Sequence, residues 1–252
     1  MLDLSMKKII LLSSLSLFFL IYALPLLAQD RPKGLDNRGP LTKITFIHRK
    51  KGHAKPPKPD KPGKPPKEST CYGFLARGTK WKTAEDYVIN PTNTDGLTAD
   101  FITSTLEAGV GEWEIHGGDN IFGQSSLDSS ATYGIYDYQN SVEFGLYPDP
   151  NVIAVTSVWG YFGGPPQTRE LVEWDMLFND ASSWDWGDAT ADSTLMDLQN
   201  IATHELGHSA GMDDLYETTC QAETMYGYSW EGDTQKRDLN PGDIAGIQKL
   251  YL

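Results

Sequence analysis

The stretch His204-Glu205-Leu206-Gly207-His208-Ser209-Ala210-Gly211-Met212-Asp213-Asp214 sets two histidines four residues apart, ahead of a glycine and a pair of acids. On a helix that spacing puts both imidazoles on one face, a turn apart. Two ring nitrogens so placed can share a zinc ion at about 2.0–2.1 Å each. Glu205 is offset from the axis of the pair and suits a general base acting on water at the open position of the ion. Gly211 permits the left-handed backbone that ends a helix in a sharp turn. Three residues on, Asp214 offers a third, hard oxygen ligand; Asp213 competes for that role, and register favours Asp214.

Outward from this stretch, the periodicity predicts a helix through Leu195, Leu198, Ile201, Ala202 and Leu206 to Ser209, capped by Ser193 or Asp192. Asn240-Pro241-Gly242-Asp243 opens a terminal helix with Ile244, Ile247, Leu250 and Tyr251 on one face. Upstream, Thr98 or Asp95 caps a helix reaching Trp113, and strands are expected at Tyr87–Asn90, Val142–Leu146, Val152–Trp159 and Leu171–Phe178. Gly163-Gly164-Pro165-Pro166 reads as the hairpin connection between the last two. The pattern is that of one α+β domain over residues 71–252.

Charge divides the chain. Of 252 residues and a net charge of −13, residues 1–70 carry 14 Lys/Arg against 5 Asp/Glu, and residues 71–252 carry 7 against 29. The acidic body has little to neutralise phosphates with, which excludes nucleic acid as a partner. Lys7 and Lys8, the apolar run from Ile9, Pro25 and Ala28 read as an export signal over 1–28 cleaved near Ala28, the alternative being an uncleaved membrane anchor. Residues 29–70 read as a basic, Pro/Lys-rich pro-segment or linker, extended and disordered, with residues 50–68 a candidate contact to an anionic cell surface. His48 and His53 fall in it and are expected in solvent. Two cysteines in an exported chain, Cys71 and Cys220, point to a disulfide. Asp180, Asp185, Asp188 and Asp192 make calcium a further candidate, with a solvated acidic loop as the alternative.

The stretch from His204 to Asp214 resembles the metzincin clan of zinc peptidases. An Asp as third ligand is similar to the snapalysin type. Thr224-Met225-Tyr226-Gly227-Tyr228 resembles the methionine turn beneath the metal in that clan, and Gly242-Asp243-Ile244-Ala245-Gly246-Ile247 the closing helix of matrixin catalytic domains. The resemblance implies a zincin-like fold, with a twisted mixed sheet, an active-site helix, a Met-turn at Met225 and a C-terminal helix. It implies a secreted zinc-dependent endopeptidase with one catalytic zinc on His204, His208 and Asp214, Glu205 as general base, protein or peptide substrates, and a monomeric state. The substrate is expected along an edge strand near Val152–Trp159 or Leu171–Phe178, with Tyr226–Trp230 walling a side-chain pocket. The alternative is a non-catalytic zinc-binding or surface-adhesion module on the same fold. Residues 29–70 hold no cysteine, and Ser69-Thr70-Cys71-Tyr72 does not match the stretch that caps the zinc of latent matrixins, so a cysteine switch is not expected. His116 is expected as a surface or packed residue rather than a ligand of a second zinc.

Overall fold

The computed structural model describes residues 37–52, 70–118, 121–181 and 183–252. The expected signal over 1–28, His53 and most of the Lys/Pro stretch lie outside the described residues. In chain order the elements are β1 (Thr42–Lys50), β2 (Tyr87–Ile89), α1 (Ala99–Gly117), β3 (Ser125–Leu127), β4 (Asn140–Gly145), β5 (Val152–Tyr161), β6 (Glu170–Asn179), β7 (Trp186–Gly187), β8 (Met196–Asp197), α2 (Leu198–Ala210), β9 (Tyr228–Ser229) and α3 (Pro241–Tyr251). Seven strands form one sheet in the order β3-β2-β4-β6-β5-β1-β9, while β7 and β8 pair separately. This mixed sheet with helices is the expected α+β, zincin-like architecture.

Strands β2, β3, β4 and β6 run parallel. The Gly163–Pro166 connection turns the chain back, so β5 and β6 are antiparallel. Their β-branched and aromatic runs suit a pleated sheet buried on both faces. Trp174, Met176 and Phe178 join the helix-side core. On the other face Glu173 and Asp175 are buried beneath the segment before β4, where Asp137 N donates to Glu173 Oε2 (3.0 Å) and Gly134 N to Asp175 Oδ2 (2.7 Å). Helix α1 is capped by Thr98, whose side chain accepts from Phe101 N. It packs on α2, with Trp113 Nε1 donating to Thr203 O at 2.8 Å. At α3, Asn240 and Asp243 form a capping box. Cys71 and Cys220 are disulfide-bonded, sulfur to sulfur 2.11 Å, joining the start of the 71–252 region to the turn before Met225.

Three expectations change. The folded unit does not begin at residue 71: Thr42–Lys50, assigned to the pro-segment or linker, is an internal strand between β5 and β9. Its alternation of Ile44, Phe46 and His48 is a short strand pattern, masked in the sequence by the lysines and prolines that follow. His48 is therefore buried, not solvated. And β5 presents no free edge, because β1 covers it antiparallel from Thr42↔Gly160 to Arg49↔Val152.

Candidate active site

Helix α2 begins four to five residues later than expected. Asp197, not Ser193 or Asp192, is its N-cap: Oδ1 accepts Asn200 N at 2.8 Å, and Arg237 grips both carboxylate oxygens. Asp192 instead closes its own turn on Thr194. The helix ends at Gly211, whose φ of +105° reverses the chain. A Cβ there would also lie 2.8 Å from Thr79 O.

That reversal brings Asp214 back to the His face. Asp214 Oδ1 lies 3.4 Å from His204 Nε2 and 3.4 Å from His208 Nε2. Both rings are oriented from behind: His204 Nδ1 lies 2.7 Å from Thr224 O, and His208 Nδ1 lies 3.0 Å from Met212 O. A carbonyl can only accept, so each Nδ1 carries the hydrogen. Nδ1–H on a neutral ring leaves Nε2 with a bare lone pair, the form that ligates metals. Tyr216 holds the carboxylate by donating to Oδ2 at 2.8 Å. Asp213 lies outside the cluster; its side chain accepts from Asp214 N.

Three acceptors thus converge with little between them to donate. His204 Nε2 and Asp214 Oδ1 are buried without hydrogen-bond partners. Such a trio is repulsive unless a cation or a proton sits within it. The titration directions put a proton between His208 and Asp214 where no cation fills that place. Burial and then the Lys236 ammonium push His204 down to about 3. Burial pushes His208 down, but the charge and hydrogen bond of Asp214, with Glu205 and the Met212 carbonyl, together give a net rise. Burial raises Asp214, yet His208 and His204 together outweigh it and hold the acid well below its ordinary value. Two neutral nitrogens and one carboxylate fit zinc, with a fourth position left over.

Glu205 is fully buried beside this trio. Thr156 on β5 donates to its Oε2, and His48 Nδ1 lies 3.2 Å from its Oε1. Burial raises its carboxyl to about 7. Below the helix Met225 is buried, and a Cβ on Gly207 would overlap Met225 Sδ and come within 2.6 Å of Trp113 Cζ2. Gly207 therefore lets the methionine turn seat directly under the His pair. The whole arrangement of helix, glycine reversal, Asp214 and methionine turn lies within residues 164–252, and these match the matrixin family model. Over that stretch the chain is similar to the matrixins.

Two relatives agree over a shorter stretch. The chain is 36% identical over 77 residues to the hatching enzyme of Paracentrotus lividus, and 38% identical over 77 residues to human matrilysin. Each alignment covers 31% of this chain, but only 12% and 26% of the respective relatives. The matched stretch therefore spans well under two thirds of either.

Several residues that shape this matrixin-like site carried no clear sequence signal. Asp243, read only as part of a helix start, is fully buried and accepts Thr224 N (2.6 Å), Met225 N (3.1 Å) and Asn240 N (3.1 Å), pinning the methionine turn to α3. Glu223 reciprocates by accepting Gly242 N and Asp243 N. Lys236 is fully buried, donates to Tyr226 O, and is lowered to about 8 by burial. His48 had been read as solvated. His116 lies on α1 within 3.4 Å of Glu112, remote from the trio. Asp180, Asp188 and Asp192 serve as turn and loop acceptors for Thr94, Thr190 and Thr194. Among the described residues the four acids do not gather into a metal-sized group.

Proposed function

We propose that the protein is a secreted zinc-dependent endopeptidase. The observation that carries this is the buried convergence of His204 Nε2, His208 Nε2 and Asp214 Oδ1, two of them without any other partner. In this reading His204, His208 and Asp214 hold zinc, and Met225 supports them from below. Zinc bound there supplies a Lewis acid that polarises the scissile carbonyl and lowers the pKa of water at its open position. Glu205 takes the proton from the attacking water and hands it to the departing amine. A carboxyl raised to about 7 is well matched to that exchange near neutrality. Thr156 fixes the carboxylate through Oε2, and Oε1 is the oxygen that meets His48. The export-type leader and the disulfide support an extracellular setting, where proteins or peptides are the substrates.

Metal content separates the ligands. Asp214→Ala should lower zinc affinity by about 10–100-fold or more, while Asp213→Ala should leave it within a few-fold. The reverse result moves the third ligand by one residue. Cleavage of a generic protein substrate should stop with a chelator and return with zinc. Glu205→Gln should keep the metal and lose about 10²–10⁴-fold in turnover; unchanged turnover would remove Glu205 from the base role.

A further inference from the structure

The groove in which a peptide would meet His204, Glu205 and His208 is already filled by the chain itself. Strand β1 is added to β5, the antiparallel strand that flanks the site, and its end lies parallel to β9, with Arg49↔Tyr228 and Lys50↔Ser229. An extended peptide held between a sheet edge and a pocket wall is the geometry of recognition by strand addition. The inward residues of β1 cover the reactive groups directly. The Phe46 ring stacks on His208, centroids 3.8 Å apart and 9° from parallel, and the His48 ring packs edge-on against His204 at 4.1 Å. His48 Nδ1 faces Glu205 Oε1, while its Nε2 is buried without a partner. His48, His204 and Glu205 bring ligand atoms within 4.8 Å of one another. His204 and Glu205 retain no exposed surface. No substrate bond can reach either while β1 is in place.

The basic flank of the strand is matched to the acidic body. Arg49 pairs with Asp149 and Lys50 with Glu231, and Lys43 and Lys51 lie over Trp159 (4.4 Å) and Trp230 (5.2 Å). The charge division along the sequence is, in part, complementarity across this contact.

We infer that Thr42–Lys50 is an internal pseudo-substrate: it occupies the peptide groove, His48 engages Glu205 and faces the metal site, and the groove takes extended peptides with basic residues on the carboxyl side of the inward-pointing one. This rests on the peptidase reading above. A tethered strand competes at an effective concentration on the order of millimolar, enough to exclude most free peptides.

The test uses the full chain loaded with zinc or, for spectroscopy, with cobalt. The chain is compared with His48→Gln, which leaves the ladder and Phe46 in place, and with Phe46→Ala/His48→Ala; thermal melting of each confirms folding. The probes are a quenched fluorescent peptide for cleavage and a labelled synthetic peptide of sequence Thr42–Lys50 for binding in trans. The double variant should bind the labelled peptide and cleave the fluorescent one about tenfold or more faster than the unaltered chain. His48→Gln should change the visible spectrum of the cobalt form. Equal cleavage by all three chains, with no trans binding, overturns the pseudo-substrate and leaves the peptidase standing. Trans binding by the double variant without cleavage by any chain keeps the strand as the occupant of the groove but overturns the peptidase, and with it the pseudo-substrate role. Absence of both, in folded and metal-loaded variants, overturns both.

Discussion

Gly207 shows how much of the site depends on a missing side chain. It sits in mid-helix, where glycine weakens a helix by roughly 0.5–1 kcal/mol relative to alanine. Here alanine would meet Met225 and Trp113 instead of open space. Gly207→Ala should therefore destabilise the domain by about 1–3 kcal/mol, the range for overpacking a filled core, rather than stabilise it. Thermal unfolding reads the sign directly. At this scale the sequence was most informative where chemistry demands a residue type at a fixed spacing, as with His204, Glu205, His208 and Asp214. It was silent on Gly207, whose need arises from residues 94 positions back and 18 positions forward. It was misleading on His48, because local composition says nothing about which strand will later lie beside it.

At the level of elements, the methionine turn is held on two sides: Leu215 bridges Met225 O (2.8 Å) and Gly227 N (2.9 Å), and α3 clamps its amides. Asp243 accepts from Thr224 and Met225, and Thr224 O in turn orients His204. Asp243→Ala leaves buried amides without acceptors, at about 1–3 kcal/mol each. It should also weaken zinc affinity, because the carbonyl behind His204 is released. A Met225→Leu control, which keeps the turn's hydrogen bonds, should lose less of both; equal loss would mean the packing and not the α3 clamp sets the ring. The helices and long strands were legible, α1 and α3 from a regular apolar face and β5 and β6 from runs that are buried on both sides. The two-residue strands and β1 were not. They are strands only by virtue of their neighbours, and β1 carries too few inward residues to announce itself beside a Lys/Pro-rich tract.

For the molecule as a whole, two carboxyls on the helix-free face of the sheet set a pH dependence. Burial pushes Glu173 up to about 7 and Asp175 up to about 6, against ordinary values of 4.5 and 3.8. The folded state thus holds these protons more tightly than the unfolded chain does. Their contribution to stability is fully present below about pH 4 and is lost as pH rises through about 6 to 7. Glu173→Gln keeps an acceptor for the amides of Asp137 and Tyr138 and removes the charge. It should gain about 1–3 kcal/mol over the unaltered chain at pH 8 and nothing near pH 4 in urea unfolding. A pH-independent difference would mean that the effect is steric. Replacing both Cys71 and Cys220 by serine should cost about 2–5 kcal/mol in the same assay.

The bridge between Cys71 and Cys220 also decides what proteolysis does to the chain. A cut after residue 71 and before residue 220 leaves two fragments that still migrate together until a reductant is added. A cut between residues 52 and 70 falls outside the loop and leaves Thr42–Lys50 held to the body only by its ladder and ion pairs. The cross-link thus keeps the fragments joined after any nick between residues 71 and 220, whereas a scission ahead of Cys71 or beyond Cys220 leaves a terminal piece held by non-covalent contacts alone.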